Sequence, residues 1–169
     1  MDGQVEIYSV ESLDAMQRRQ LSELLISVVA DGASVGFLAP LGFEEAADYW
    51  DQALEPGVLL WVAASGGMIL GTVQLHLAAK ANGAHRAEVA KLMVHPDFRK
   101  KGIGRLLMAR LEQAAVEKQR SLLILDTREG DPSNLLYQSL GYREAGRIPG
   151  YARSTDGRLE ATIYYYKEL

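Results

Sequence analysis

The chain contains no cysteine among its 169 residues. It can therefore form no disulfide, offer no thiolate to a metal ion and use no cysteine nucleophile. Histidine is scarce as well. His76, His85 and His95 stand apart in the sequence and have no matching set of ligands, so we expect no metal site.

Positive charge is also in short supply. The 18 Lys and Arg residues against 22 Asp and Glu give a net charge of −4. This balance creates no field that would gather nucleic acid or an anionic membrane surface. The length suits one domain, residues 1–169, with its own core. No basic and apolar leader is recognisable, so we expect a cytoplasmic protein, either a monomer or a homodimer.

One long stretch has no charge at all. Gly57–Ala79 lacks Asp, Glu, Lys and Arg, and it is long enough for a membrane helix. The pair Gly66 and Gly67 divides it into two halves rich in β-forming residues, and Thr72 and Gln74 would be costly in lipid. We therefore predict a buried hairpin instead.

The remaining periodicities predict the element order βααβββαβαββ, a mixed sheet with helices on both faces. The first helix is expected to begin at a Ser12 cap and to end near Ala30. Its apolar residues fall on one face and should enter the core: Leu21, Leu24, Leu25 and Val28.

The scarce cations concentrate in "RKKGIG", Arg99–Gly104, directly before a helical pattern. Free amides and a positive dipole at a helix start favour phosphate, and glycines let the backbone approach it. The stretch has neither the Gly-Lys-Ser/Thr ending of a Walker loop nor the third glycine of a Rossmann fingerprint. The alternative is a solvated turn, but cations at a helix start are unfavourable without an anion.

Two segments resemble the GCN5-related N-acetyltransferase (GNAT) family. "VAKLMVHPDFRKKGIGRLLM" places Arg99, Gly102 and Gly104 on the family's Arg/Gln-x-x-Gly-x-Gly/Ala pattern, and "LYQSLGYREAG" places Tyr137 four residues before Gly141. One departure is Gly130, where many members carry an Asn that contacts the coenzyme.

The resemblance implies an α/β (α+β) fold. We expect a mixed, mostly antiparallel sheet of about seven strands flanked by four helices and splayed between the strands 87–94 and 121–126. It also implies acetyl-coenzyme A (acetyl-CoA) as cosubstrate, with loop amides on the pyrophosphate and an amide near Met93 or Val94 on the acetyl oxygen. The implied coenzyme-binding residues are Leu92, Met93, Val94, Arg99, Lys100, Lys101, Gly102, Ile103, Gly104 and Arg105.

Acetyl transfer to an amine needs a base for the ammonium and an acid for the departing thiolate. Glu88 lies where a central strand is normally apolar. It is a candidate base, directly or through water, and the alternative is an ion pair with Lys91. Three residues' separation would put the two on opposite faces of a regular strand, although a bulge would change this.

Asp126 ends the apolar run "LLILD", where ligands of open α/β sheets commonly bind. Its alternative role is to cap the following turn. Tyr137 is the general acid that the family pattern implies, and its alternative role is an amphipathic core tyrosine.

Two loops, "DGASVGFLAP" and "IPGYARSTDGRL", resemble those of family members that inactivate small amino acid-like toxins. A zwitterionic substrate needs both charges in its pocket. Asp31 or Asp126 would meet the ammonium, Arg153 or Arg158 the carboxylate, and Ser34 and Tyr151 would add hydrogen bonds. The expected partner is thus a small-molecule amine. The alternatives are a peptide or protein N-acetyltransferase and a non-catalytic coenzyme A sensor.

Overall fold

The structure is a computed structural model that describes residues 3–169. Four α-helices and seven β-strands alternate in the order predicted from the sequence. The helices are α1 (Ala15–Ala30), α2 (Phe43–Ala53), α3 (Ile103–Glu117) and α4 (Ser133–Ser139). The strands are β1 (Glu6–Val10), β2 (Val58–Ser65), β3 (Met68–Leu77), β4 (Arg86–Val94), β5 (Leu122–Arg128), β6 (Arg143–Arg153) and β7 (Leu159–Glu168).

The strands form one sheet in the order β1-β2-β3-β4-β5-β7-β6. β4 and β5 run parallel, and each other neighbouring pair in the described sheet is antiparallel. Helices cover both faces. One core layer packs α3 residues such as Leu107 and Leu111 against the sheet, and the other packs α1 residues such as Leu25 and Val28. The predicted mixed, mostly antiparallel sheet is confirmed.

Helix α1 begins two residues later than the sequence suggested. Its N-cap is Asp14, not Ser12. The Asp14 carboxylate accepts from the Gln17 amide at 2.7 Å, and the Gln17 side chain accepts from the Asp14 amide at 3.1 Å. This reciprocal pair satisfies two backbone donors at once, which the Ser12 hydroxyl cannot do from outside the first turn.

The uncharged stretch forms the hairpin β2–β3, as predicted. Gly66 and Gly67 make its turn with φ values of 57° and 79°, a region that favours glycine. No helix within residues 3–169 is long and apolar enough to cross a membrane.

The sheet opens between its two parallel strands. β4 and β5 pair at Arg86–Glu88 with Leu122–Ile124, and beyond these residues they diverge. This is the predicted splay. The edge of β4 that faces β5 therefore has no strand partner from Val89 onwards, and a slot passes through the sheet.

A bulge in β4 changes which side chains face the slot. Thr72 of β3 pairs with Met93 and Gln74 with Ala90, so two residues of β4 oppose Val73. Lys91 lies in this bulge at φ 54°. Val89 and Met93 are four residues apart and would face the same side of a regular strand. Val89 packs in the α3 layer, whereas Met93 packs in the α1 layer, because the bulge reverses the alternation of side chains.

Candidate active site

One large cleft of about 1040 Å³ runs from the start of α3, along the splayed edge of β4, to the loop between α1 and α2. Its walls include residues of both segments that carry the family resemblance, the glycine loop at Arg99–Gly104 and the segment that contains Tyr137. The cleft brings together all three candidate catalytic residues, namely Glu88, Asp126 and Tyr137. It is also lined by nine of the ten residues expected to bind coenzyme, Lys101 being the exception.

The glycine loop ends in a helix start with free donors. Gly102 is the N-cap of α3 and has φ 80°, which a residue with a side chain adopts only with strain. The amides of Ile103, Gly104 and Arg105 have no backbone acceptor within residues 3–169. A Cβ at Gly104 would lie 3.3 Å from Leu136 Cδ2, so this glycine allows α4 to approach α3. The loop has the free amides that a phosphate needs.

The cations around this loop differ in their availability. Arg105 donates to Ser139 Oγ at 2.8 Å and still lines the cleft. Lys100 is exposed at the cleft wall, with φ 60°. Lys101 does not line the cleft in this structure, and its Nζ lies 5.0 Å from the centroid of the Phe98 ring. That Lys101 binds coenzyme stays a prediction.

Arg99 and Asp31 form an ion pair that joins the glycine loop to the end of α1. Arg99 also donates through Nε to the Val94 carbonyl oxygen at 3.3 Å. Both residues line the cleft, but each satisfies the other's charge. Asp31 is thus already partnered in this structure, which leaves Asp126 as the better placed of the two predicted ammonium contacts.

Residues Leu92, Met93 and Val94 line the slot. The side chains of Met93 and Ile103 are apolar and buried, Met93 in the α1 layer and Ile103 in the α3 layer. These residues can therefore offer a ligand only their backbone donors and acceptors. Backbone donors and acceptors of this part of β4 that point towards β5 have no sheet partner. They suit an extended, amide-bearing ligand that passes through the sheet.

Glu88 and Lys91 face the same side of the sheet. Glu88 faces opposite to the buried Ala87 and Val89, and the bulge turns Lys91 to that same side, where its Nζ lies 5.8 Å from the centroid of the Tyr49 ring. The sequence left open whether the two form an ion pair. They form none within 4.0 Å in the described chain, and the Glu88 carboxylate is exposed to the cleft.

Asp126 lies next to the same slot on β5. Its carboxylate accepts from the Thr162 hydroxyl at 2.7 Å, and it pairs across the strands with Tyr164. The turn after β5 is instead closed by Asp131, which accepts from Arg128 at 2.9 Å. Asp126 thus does not cap that turn, and its other carboxylate oxygen stays available to the cleft.

Tyr137 lies on the opposite side of the slot from the two carboxylates. It packs in the α3 layer, with ring centroids 5.7 Å from Tyr142 and 6.2 Å from Tyr165. Burial, and then the charge of Asp126, raise the pKa of the Tyr137 phenol. The hydroxyl therefore keeps its proton at neutral pH, and it has no hydrogen-bond partner among the described side chains.

The predicted substrate-binding residues divide into two groups. Ser34 and Tyr151 line the cleft, and the Tyr151 hydroxyl lies 3.0 Å from that of Tyr164. The hydrogen bond with Tyr151 and burial raise the pKa of Tyr164 to about 12. Ser34 is the centre of a Gly-x-Ser-x-Gly pentapeptide, but it lies in a loop between two helices rather than in the strand-to-helix turn of a nucleophile elbow.

Arg153 and Arg158 do not reach the cleft. Arg153 donates to the Gly157 carbonyl oxygen at 2.8 Å, and Arg158 donates to the Asp156 carboxylate at 2.7 Å. Arg153 ends β6 and Arg158 lies in the turn before β7, and a nearby acceptor holds each guanidinium group. That one of them meets the substrate's carboxylate stays a prediction.

Sequence reasoning missed two cations that do line the cleft. For Lys91 the sequence pattern suggests only an ion pair with Glu88. It gives no role to Arg128, which donates to Asp131, to the Gly32 carbonyl oxygen at 2.7 Å and to Ser154 Oγ at 3.4 Å. Its position at the end of β5, two residues after Asp126, was the available signal.

Comparison with known proteins places the chain in a family. A model of the acetyltransferase (GNAT) domain matches residues 56–144, more than half of the chain. The chain therefore belongs to the GNAT acetyltransferase family.

Individual relatives are distant and longer than the matched segments. N-acetylaspartate synthetase of Homo sapiens is 31% identical over 119 residues, which cover 66% of this chain and 38% of that protein. The [ribosomal protein bS18]-alanine N-acetyltransferase of Escherichia coli K12 is 33% identical over 78 residues, which cover 46% of this chain and 53% of that protein. The chain thus spans about two fifths to one half of the length of these relatives.

Among solved structures, yncA of Salmonella typhimurium with its cofactor acetyl-CoA superposes with a TM-score of 0.79. The sequences are 17% identical, and the match covers 98% of this chain and 94% of that one. At this identity the likeness establishes the fold alone.

Proposed function

We propose that the chain is an acetyl-CoA-dependent N-acetyltransferase that moves an acetyl group directly to the amine of a small amino acid-like substrate. The observation that carries this proposal is the arrangement of one continuous cleft. A cationic glycine loop lies at one end, two carboxylates face one side of the splayed sheet, and a protonated tyrosine faces the other.

The chain's residues fit acetyl-CoA. The free amides at the start of α3, with Arg105 and Lys100 beside them, would hold the pyrophosphate. The unpaired edge of β4 would bind the amide-bearing pantetheine arm as it passes through the slot. A free amide near Met93 or Val94 would donate to the acetyl oxygen, where negative charge develops during transfer.

The three catalytic candidates would divide the proton transfers. Glu88 or Asp126, directly or through a water molecule, takes the proton that makes the acceptor amine unreactive. The neutral amine then attacks the acetyl carbon, the carbon–sulfur bond breaks, and the nitrogen releases its second proton to water as the amide forms. Tyr137 donates its phenolic proton to the departing thiolate. The acid and the bases lie on opposite sides of the slot. The amine can therefore attack the acetyl carbon from one side while the thiolate leaves towards the other.

Contacts between two loops support a small acceptor. Arg128 connects Gly32 in the α1–α2 loop to Ser154 in the β6–β7 hairpin, and Thr155 of that hairpin accepts from the Ala39 amide at 3.2 Å. These loops meet over the carboxylate end of the cleft. They leave less room for a peptide than an open groove would, although the two curated relatives are named for a small amino acid product and for a protein amine respectively.

The most specific candidate is the amino acid-like toxin tabtoxinine-β-lactam, which the loop resemblance suggests. Acetylation would replace its ammonium with a neutral and bulkier amide. A target that recognises the charged amine would then no longer bind it well.

The test presents the purified chain and acetyl-CoA with common L-amino acids, tabtoxinine-β-lactam, polyamines, aminoglycosides and lysine peptides. Mass spectrometry should find one acetyl group on an amino acid-like acceptor. Efficient acetylation of a peptide or polyamine alone would support the alternative acceptors. Coenzyme binding with no acetylated product and no thiol release would support the sensor.

A further inference from the structure

Lys91 is a half-buried lysine in an unusual backbone conformation at the carboxylate end of the cleft. It lies in the β4 bulge with φ 54°, where a residue with a side chain is strained. Without the bulge its side chain would point to the α3 layer. The bulge instead directs the ammonium towards the α1–α2 loop, above the slot.

The contacts of the Lys91 ammonium are apolar or backbone. Its Nζ lies over the Tyr49 ring, and a Cβ built on Gly36 would be 3.6 Å from it. No carboxylate of residues 3–169 lies within 4.0 Å, and no hydrogen bond engages the ammonium there. An ammonium has three donors, so Lys91 keeps donors for a ligand.

The other cations near this end of the cleft already have partners. Arg99 pairs with Asp31, and Arg128 is held by Asp131 and the Gly32 carbonyl oxygen. Arg153 and Arg158 lie outside the cleft. Among the described residues that line this end of the cleft, Lys91 is therefore the cation whose donors have no hydrogen-bond partner.

Resting on the proposed function, we propose that Lys91 binds the carboxylate of the amino acid acceptor and so selects amino acids over simple amines. The acceptor's ammonium then points to Glu88 and Asp126, and its carboxylate to the Lys91 ammonium. The charges of the site thus match a zwitterion, with two acidic groups for the amine and one basic group for the acid.

The electrostatics agree with this arrangement. Burial lowers the pKa of the Lys91 ammonium, while the charges of Asp126 and Glu88 raise it again. A bound carboxylate would favour the charged form further, because an opposite charge in a partly desolvated site stabilises the ammonium.

The experiment compares the best amino acid from the acceptor panel with its own carboxamide. The wild type should prefer the free acid. Lys91→Met should lower kcat/KM for the acid about 10- to 100-fold, mainly through KM, the effect of one lost charge-assisted hydrogen bond. It should leave kcat/KM for the carboxamide within about twofold. Lys91→Arg should restore part of the preference, and Lys118→Met, an exposed cation at the end of α3, should change neither value.

Two further measurements keep the result decisive. Lys91→Gly removes the ammonium and suits the positive φ, so it serves if the Met variant folds poorly. Calorimetric titration of the same acid and carboxamide in the presence of coenzyme A makes the comparison without turnover.

Equal losses on acid and carboxamide would overturn the inference and give Lys91 a structural role. A wild type that acetylates amines but shows no preference for a free carboxylate would also overturn it while leaving the acetyltransferase standing. If no amine were acetylated, the proposed function would fail, and the titration would still decide whether Lys91 binds a carboxylate.

Discussion

Arg128 donates through Nη2 to the carbonyl oxygen of Gly32 at 2.7 Å, and this bond joins the end of β5 to the loop that follows α1. The same guanidinium contacts Ser154 of the β6–β7 hairpin. Arg128 therefore holds together the two loops that close the acceptor end of the cleft. We expect it to act as a positioning residue that holds these loops in place.

Arg128→Met should release this closure. We expect the KM of the acceptor amine to rise about tenfold or more, because the bonds of the guanidinium to Gly32, Ser154 and Asp131 are all lost, while acetyl-CoA affinity changes less than twofold. Arg147→Met is the matched control, because Arg147 forms a similar two-bond pair with Glu129 on the exposed surface. Steady-state kinetics and calorimetry measure the two effects. Equal losses for both variants would show that Arg128 contributes no more to acceptor binding than a surface ion pair does.

Glu88→Gln and Asp126→Asn should each lower kcat by about 100-fold without weakening coenzyme binding. The double variant should lose less than the product of the two, because both carboxylates serve one proton path. The deficits should shrink as the pH rises above ~8, where an α-amine loses its proton in solution. A pH–rate profile checks this, and full wild-type kcat in the double variant would remove both residues from catalysis.

Gly102→Val should weaken acetyl-CoA binding about tenfold or more, because a branched residue disfavours φ 80° and displaces the free amides at the start of α3. Gly157→Val makes a similar change in the β6–β7 turn, at φ 90° and with open space around the Cβ. The two variants should lose comparable stability. Calorimetric titration separates them, and unchanged affinity in folded Gly102→Val would exclude the loop from the binding site.

Tyr137→Phe should reduce kcat about 100-fold, since only the phenolic proton is lost. Tyr142→Phe is the matched control: Tyr142 is a neighbouring buried phenol that does not line the cleft. Near-normal turnover by Tyr137→Phe, with chemistry shown to limit the rate, would make Tyr137 a packing residue.

His76 gives a prediction about stability. Burial lowers the pKa of its imidazole, even though Glu88 raises it. The unfolded chain therefore binds the proton more readily, so the folded state loses stability as the pH falls below about 6.5. His76→Gln keeps a donor for Gln74 Oε1, which lies 2.8 Å from His76 Nε2. Between pH 8 and pH 5 the urea midpoint of this variant should fall less than that of the wild type. Parallel declines would contradict the assignment.

The sequence predicted the fold closely because its signals are local and repeated. The helical spacing of Leu107 and Leu111 and the Gly66–Gly67 turn each specify one element. The free amides of the glycine loop could be predicted equally well, because the first amides of any helix lack intrahelical acceptors. The Asp14 cap was missed because two neighbouring residues, Ser12 and Asp14, can both accept from a helix amide, and only the contact with Gln17 decides between them.

The acceptor end of the cleft was harder to predict. Lys91 reaches it through a bulge, which depends on how β3 and β4 align and leaves no clear mark in the sequence. Arg153 and Arg158 were expected there from the loop resemblance and from their charge, but Gly157 and Asp156 hold their guanidinium groups locally. Side chains that act across distant loops, such as Arg128 on Gly32, depend on tertiary contacts that no local pattern contains.

We propose that the acetyl group passes directly to an amine inside this cleft. This transfer is tested most directly by measuring coenzyme A thiol release and acetylated product together, with the wild-type chain, acetyl-CoA and the best amino acid acceptor. We expect one thiol for each acetylated amine, little release without the amine, and a large loss of both in the Glu88→Gln, Asp126→Asn double variant. Thiol release that is independent of the amine, or coenzyme binding with no release for any acceptor, would contradict it.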